Sequence, residues 1–222
     1  MMNERNRREF LGAAGAAGLA VLLPSSVSCV GKGTGTKTVP TNPDSKALPL
    51  AKPSDWDPVA FNKVRGNAGA IPESYLPDIN GTDGVKKHLG KHLPYVPQIE
   101  ATPAGALPLM WGDPSMGYAK HPNAPVSEKL PEGHWYNWIR VRPAVDGAAE
   151  EIESVFTSWP LIGAGDNGKY AALDGDDPAA DEGRNTVYVV ALPPGVEAGA
   201  WVRIHAHCLT HGEYLDFVQV PA

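Results

Sequence analysis

Toward the end of the 222-residue chain, the run from Trp201 to His207 passes directly into Cys208, and His211 and Gly212 follow closely. A thiolate beside imidazole is a donor set that soft and borderline transition metals take. Side chains on a strand alternate between its faces. Val202, Ile204, Ala206 and Cys208 therefore share one apolar face, and Trp201, Arg203, His205 and His207 share the other. Cys208 points inward, away from His205 and His207. His211 has the wrong parity for a continued strand, but Gly212 permits a turn that returns it to the thiolate. The predicted pair is Cys208 with His211. A lone buried cysteine also packs as a small hydrophobe, so the pair by itself does not establish a metal.

Three more histidines share a theme upstream: Gly90-Lys91-His92-Leu93-Pro94, then Lys120-His121-Pro122, then His134 followed by Trp135, Trp138 and Ile139. With Cys208 and His211 they make four imidazoles and one thiolate. In this order the set resembles the iron centre of the superoxide reductases, the neelaredoxin and desulfoferrodoxin family. The resemblance is carried by Lys91-His92-x-Pro94, by His121-Pro122 with His134-x-x-x-Trp138-Ile139, and by Cys208-x-x-His211-Gly212, and it spans about residues 85–222. It implies an immunoglobulin-like antiparallel β-sandwich. It also implies one non-haem iron cycling between Fe2+ and Fe3+, with His92, His121, His134 and His211 as equatorial ligands and Cys208 as the axial one. The implied activity is reduction of superoxide to hydrogen peroxide, with electrons supplied by a donor protein. Lys91 is the local cation that would draw in the anionic substrate, and Lys86 and Lys87 extend that patch. Without a four-cysteine N-terminal domain, the chain is similar to the single-iron neelaredoxin type.

Two departures from the family stand out. The interval from His121 to His134 is longer than the compact spacing usual there, which puts an inserted loop around Asn123 to Gly133 near the metal. Gly90 stands where the family commonly has a glutamate able to ligate oxidised iron, so water, another anion or nothing caps that state here. His88, His205 and His207 have no place in the pattern; His207, next to the thiolate, is expected to support it. Trp135 and Trp138 are expected in the core or the pocket wall.

Strand candidates that could position these groups fall at about 95–101, 134–142, 152–158, 186–192, 200–208 and 214–220, rich in Val, Ile, Trp and Tyr and punctuated by Pro or Gly. No amphipathic helix of ordinary length stands out. Short strands between loops predict an all-β antiparallel sandwich with an irregular N-terminal extension and loop insertions. Phe61 to Asp83 reads as an irregular segment wrapping the domain. Asp166 to Gly183 is acidic but lacks the full calcium-loop pattern and its bidentate glutamate, and reads as a solvated insertion.

The first residues carry Arg5, Arg7 and Arg8, an uncharged run to Leu23 and small residues before Cys29. That is the pattern of a twin-arginine export signal over 1–29, with an apolar run too short to span a bilayer. It predicts a periplasmic or membrane-anchored extracytoplasmic protein, with Cys29 available for a lipid anchor. This route carries folded chains, often with a cofactor in place. Residues 30–58 read as a flexible tether, and 59–222 as a single iron-binding domain. Two cysteines, one of them in the leader, argue against a disulfide framework. A net charge of −6 without a long basic run argues against nucleic acid as a partner. Homo-oligomers are compatible with all of this. Two rival readings stand beside the iron enzyme. A cupredoxin-like copper electron carrier also uses a sandwich and a C-x-x-H pair, but it needs a weak axial methionine, and none follows His211. A non-catalytic exported metal-binding sandwich would leave the histidines incidental or bind a structural zinc.

Overall fold

The computed structural model describes residues 48–99 and 102–222; the predicted export signal and residues 30–47 of the predicted tether lie outside the described residues. Its strands are β1 (Pro94–Tyr95), β2 (Ala106–Trp111), β3 (Tyr136–Pro143), β4 (Ile152–Val155), β5 (Lys169–Ala172), β6 (Thr186–Ala191), β7 (Trp201–Cys208) and β8 (Gly212–Gln219). They form two four-stranded antiparallel sheets, ordered β1-β2-β6-β5 and β4-β3-β7-β8. The expected all-β sandwich is the architecture present.

Alternation fills the space between the sheets. Leu107, Leu109, Trp111, Tyr188 and Val190 from one sheet pack with Ile139, Val141, Val202, Ile204 and Ala206 from the other. Each aliphatic side chain removed from water contributes about 1.5–3 kcal/mol. Cys208 belongs to this inward row and is fully buried, as parity requires, while His205 faces the other side, where its Nε2 lies 2.9 Å from Glu213 Oε2.

Three strand assignments change. Among the described residues, the expected strand at 95–101 pairs only at Pro94–Tyr95. β2 was hidden by Pro108, a residue that cannot donate to a ladder. Leu192 N–H donates to Gly105 O, so odd-numbered residues of β2 bond toward β6, and Pro108 turns its nitrogen to the side where β1 pairs only with Met110 and Trp111. β5 lies inside the stretch read as a solvated insertion, where Lys-Tyr-Ala-Ala carries little strand propensity of its own and is held by pairing with β6.

The segment before β1 folds as a helical wrap. Asp57 starts α1 (Pro58–Arg65) by accepting from Val59 N–H at 2.9 Å and Ala60 N–H at 3.0 Å, with Pro58 in the first turn. Short turns, including α2 (Leu76–Asn80), continue to a 3-10 turn at Gly90–His92. Ile71, Tyr75, Ile79, Leu89 and Leu93 form a small core of their own around Tyr214 of β8. At eight residues α1 is the longest helix among the described residues, and no helix there is long and apolar enough to cross a membrane. The wrap also covers the free edge of β8, where the Asn62 amide donates to Leu215 O at 2.7 Å and accepts from Leu215 N–H at 2.9 Å. An edge strand needs such covering. The last part of the predicted tether is docked too: Arg203 donates to Pro49 O and Arg142 to Leu50 O, each at 2.9 Å, and Trp56 Nε1 donates to Asp216 Oδ1 at 2.7 Å.

Candidate metal centre

The five predicted ligands arrive from four separate parts of the chain. His92 closes the Gly90–His92 turn of the wrap. His121 is set by its N–H donating to Trp111 O at 3.1 Å, at the end of β2. His134 is held by a two-way bridge with Ala124, bonds of 2.9 and 2.8 Å, which clamps the inserted loop at its base. The extra residues therefore leave His134 in place. Cys208 ends β7, and the turn to β8 passes through His211 and then Gly212, whose φ of 83° suits glycine. A side chain at Gly212 would also strike Ala70 O at 2.3 Å.

These elements bring together one donor atom from each of His92, His121, His134, Cys208 and His211, all within 4.8 Å of one another. His211 Nδ1 lies 3.1 Å from His92 Nε2, 3.0 Å from His134 Nε2 and 3.7 Å from Cys208 Sγ, and Sγ is 3.6 Å from His121 Nε2. Two nitrogens at right angles around an ion, each about 2.1 Å from it, would be about 3.0 Å apart. Nδ1 of His92 lies 2.7 Å from His88 O and so carries the proton that donates there, leaving Nε2 as a bare lone pair aimed at its neighbours. Lone pairs converging in a buried site repel one another unless a cation takes them. The residues fit a metal ion.

Protonation states agree. Burial first, then neighbouring imidazoles and Lys91, hold His92 and His121 well below the ordinary histidine value. Burial and Lys91 push His134 down to about 4 and His211 to about 2. All four are neutral donors at physiological pH. Burial pushes the Cys208 thiol up to about 12, opposed by the main-chain N–H groups of His211 and Thr210 and by Lys91. A bound cation reverses that preference and makes sulfur a thiolate.

Lys91 sits in the turn that carries His92 and is close enough that its charge acts on all four imidazoles and on Cys208. Its Nζ lies 5.5 Å from the centre of the Tyr75 ring. Of the two lysines expected to extend the patch, Lys87 is paired with Asp83 at 2.7 Å. Aromatic rings the sequence reading did not single out hold the ligands: Tyr75 stacks on His211 at 4.0 Å between centres, Tyr214 on His92 at 4.3 Å, and Tyr136 lies against His121 at 4.9 Å. Tyr214 lies three positions after His211, across the turn into β8, where its hydroxyl donates to His211 O at 3.1 Å, and strand alternation alone does not point to it. At Gly90, a Cβ would strike the Tyr118 ring at 2.4 Å and Val85 O at 2.7 Å, so this backbone has no room for the glutamate of the resembling family.

His207 does not support the thiolate. It lies on the opposite face of β7, its Nδ1 2.6 Å from Asn137 Oδ1 and its ring stacked on Trp138. Trp138 is thus an outer-face residue, while Trp135 is in the core. His88 acts through its carbonyl on His92 and through its ring, which is 3.2 Å from the Tyr75 hydroxyl.

Fold and donor set together define a β-sandwich protein with a buried four-histidine, one-cysteine site able to hold a metal ion. No family model matches the chain, and no curated protein or solved structure matches it either.

Proposed function

We propose that this protein is a superoxide reductase with one non-haem iron held by His92, His121, His134, His211 and Cys208. The observation that supports this reading is the convergence of four neutral imidazoles and one sulfur on a common centre beside Lys91. Bound iron would supply the one electron which, with two protons, converts superoxide to hydrogen peroxide. With five protein donors, an ion that takes six would have one position left for substrate. The chain's own groups do the rest. The imidazoles, kept neutral by burial, donate without competing protons. The N–H groups of Thr210 and His211 temper the donor strength of the Cys208 sulfur, which tunes the potential. Lys91 holds the anion's charge at the site in a protein whose net charge of −6 repels it.

The twin-arginine leader supports work outside the cytoplasm, anchored through Cys29 or free, with electrons from a donor protein. The test is a metal assay on protein isolated from its native compartment, the visible spectrum before and after oxidation, and stopped-flow mixing of reduced protein with superoxide. Iron, a sulfur-to-metal charge-transfer band on oxidation and rapid stoichiometric peroxide formation are expected. Zinc or copper as the native metal, with no reaction toward superoxide, would refute the reading.

A further inference from the structure

The β7–β8 hairpin has a second polar site on the face turned away from the ligand cluster. A cavity of about 290 Å³ is lined there by Arg65, His205 and Glu213, by Leu48, and by the turn Ala68–Ala70 of the wrap. Arg65 is the unusual member. Its side chain is only 7 % exposed, yet just one of its nitrogens is engaged: Nη2 meets Glu213 Oε2 at 3.1 Å, while Nη1 is buried with no hydrogen-bond partner among the described residues. Glu213 Oε2 is shared, since His205 Nε2 also lies 2.9 Å from it. Arg203, outside the lining, is paired with Glu151 and donates to Pro49 O, and its buried Nε has no partner among the described residues. Buried guanidinium N–H groups are costly to leave unpaired, and such exceptions call for a ligand or water. One water takes about 30 Å³, so this cavity holds several waters or one small solute.

We propose that this cavity is a binding site for a small oxyanion, a carboxylate or an anion of similar size, which accepts from Arg65. Donors exceed acceptors here: one carboxylate oxygen already serves both Arg65 and His205, and the remaining guanidinium N–H groups are what an oxyanion satisfies. Glu213 is 39 % exposed, which puts the mouth of the cavity at solvent. Glu213, the one carboxylate of the lining, is already engaged by Arg65 and His205, which leaves a cation little to bind. The site shares no ligand with the metal centre, and its occupant braces the Arg65–Glu213 pair that ties the wrap to β8.

The test is a titration of the metal-loaded full chain with acetate and, separately, nitrate, at constant ionic strength set by a large organic anion. It is read from the N–H resonances of Arg65 and of Ala68 to Ala70. Saturable shifts are expected. Arg65→Gln should weaken the affinity by at least about tenfold, as loss of a charge-assisted hydrogen bond does. Ala68→Leu, which narrows the cavity and keeps the guanidinium, should weaken it similarly and decides the matter by itself if Arg65→Gln does not fold. A response that rises without saturating, or equal affinity in parent and variants, would mean water and general screening only and would overturn the proposal.

Discussion

Asn62→Ala is the substitution that separates the wrap from the sandwich most cleanly. Asn62 is fully buried, and its amide makes three bonds: to Pro58 O at 2.8 Å, to Leu215 O at 2.7 Å and from Leu215 N–H at 2.9 Å. At roughly 1 kcal/mol net for each bond, removing the amide costs about 3 kcal/mol, with a further penalty for whichever group of Leu215 water fails to reach. Two of these bonds join the wrap to β8, so about 2 kcal/mol, together with about 1 kcal/mol for a Leu215 group left unpaired, falls on docking of the wrap. Since about 1.4 kcal/mol is a factor of ten, the open population should rise by roughly a hundredfold. Hydrogen exchange of the metal-free protein reads this directly: the Leu215 amide and the amides of 59–65 should exchange about a hundred times faster, while β3 and β7 keep their protection. His92 leaves with the wrap, so metal affinity should fall as docking weakens. Exchange at Leu215 within about threefold of the parent would show that the amide does not hold this edge.

Other perturbations have definite outcomes. Lys91→Ala should slow capture of superoxide by about tenfold at low salt and flatten its salt dependence; an unchanged rate at low salt would remove Lys91 from the reaction. Gly212→Ala forces a residue at φ 83° and sets a methyl 2.3 Å from Ala70 O, which should cost about 2–4 kcal/mol in denaturant unfolding and loosen His211. Gly90→Glu should destabilise the fold without adding a ligand, because Tyr118 fills the space, and the oxidised spectrum should show no new anionic ligand. In the metal-free protein the four ligand imidazoles fold neutral, with His134 held near 4 and His211 near 2 against an ordinary 6.5. Between those values the unfolded chain binds more protons, so stability should fall as pH drops below about 6.5, and bound metal should suppress the loss near its onset. Thermal unfolding against pH, with and without metal, checks the sign.

The Cys208–His211 pair was legible because its signals are local, whereas His92, His121 and His134 entered only through the family resemblance. Strand parity placed Cys208 inward with Val202, Ile204 and Ala206, and glycine's freedom at Gly212 allowed His211 to turn back. The strands carrying dense Val, Ile and Tyr, β3, β6, β7 and β8, were visible for the same reason. β2 and β5 were not, because one contains a proline and the other has little apolar content, and both exist through pairing with β6. The predicted export signal and most of the predicted tether fall outside the described residues.

Sequence by itself determined which side chains could donate to a metal, which face of β7 they occupy and what sign of charge stands beside them, since alternation and residue chemistry act over a few positions. Only the tertiary structure decided that His92, supplied by a helical wrap, meets His211 more than a hundred positions away, and that Tyr118 occupies the space at Gly90. Those outcomes depend on packing between segments distant in the chain, where excluded volume and the pairing of buried polar groups select one arrangement, and no local pattern encodes it.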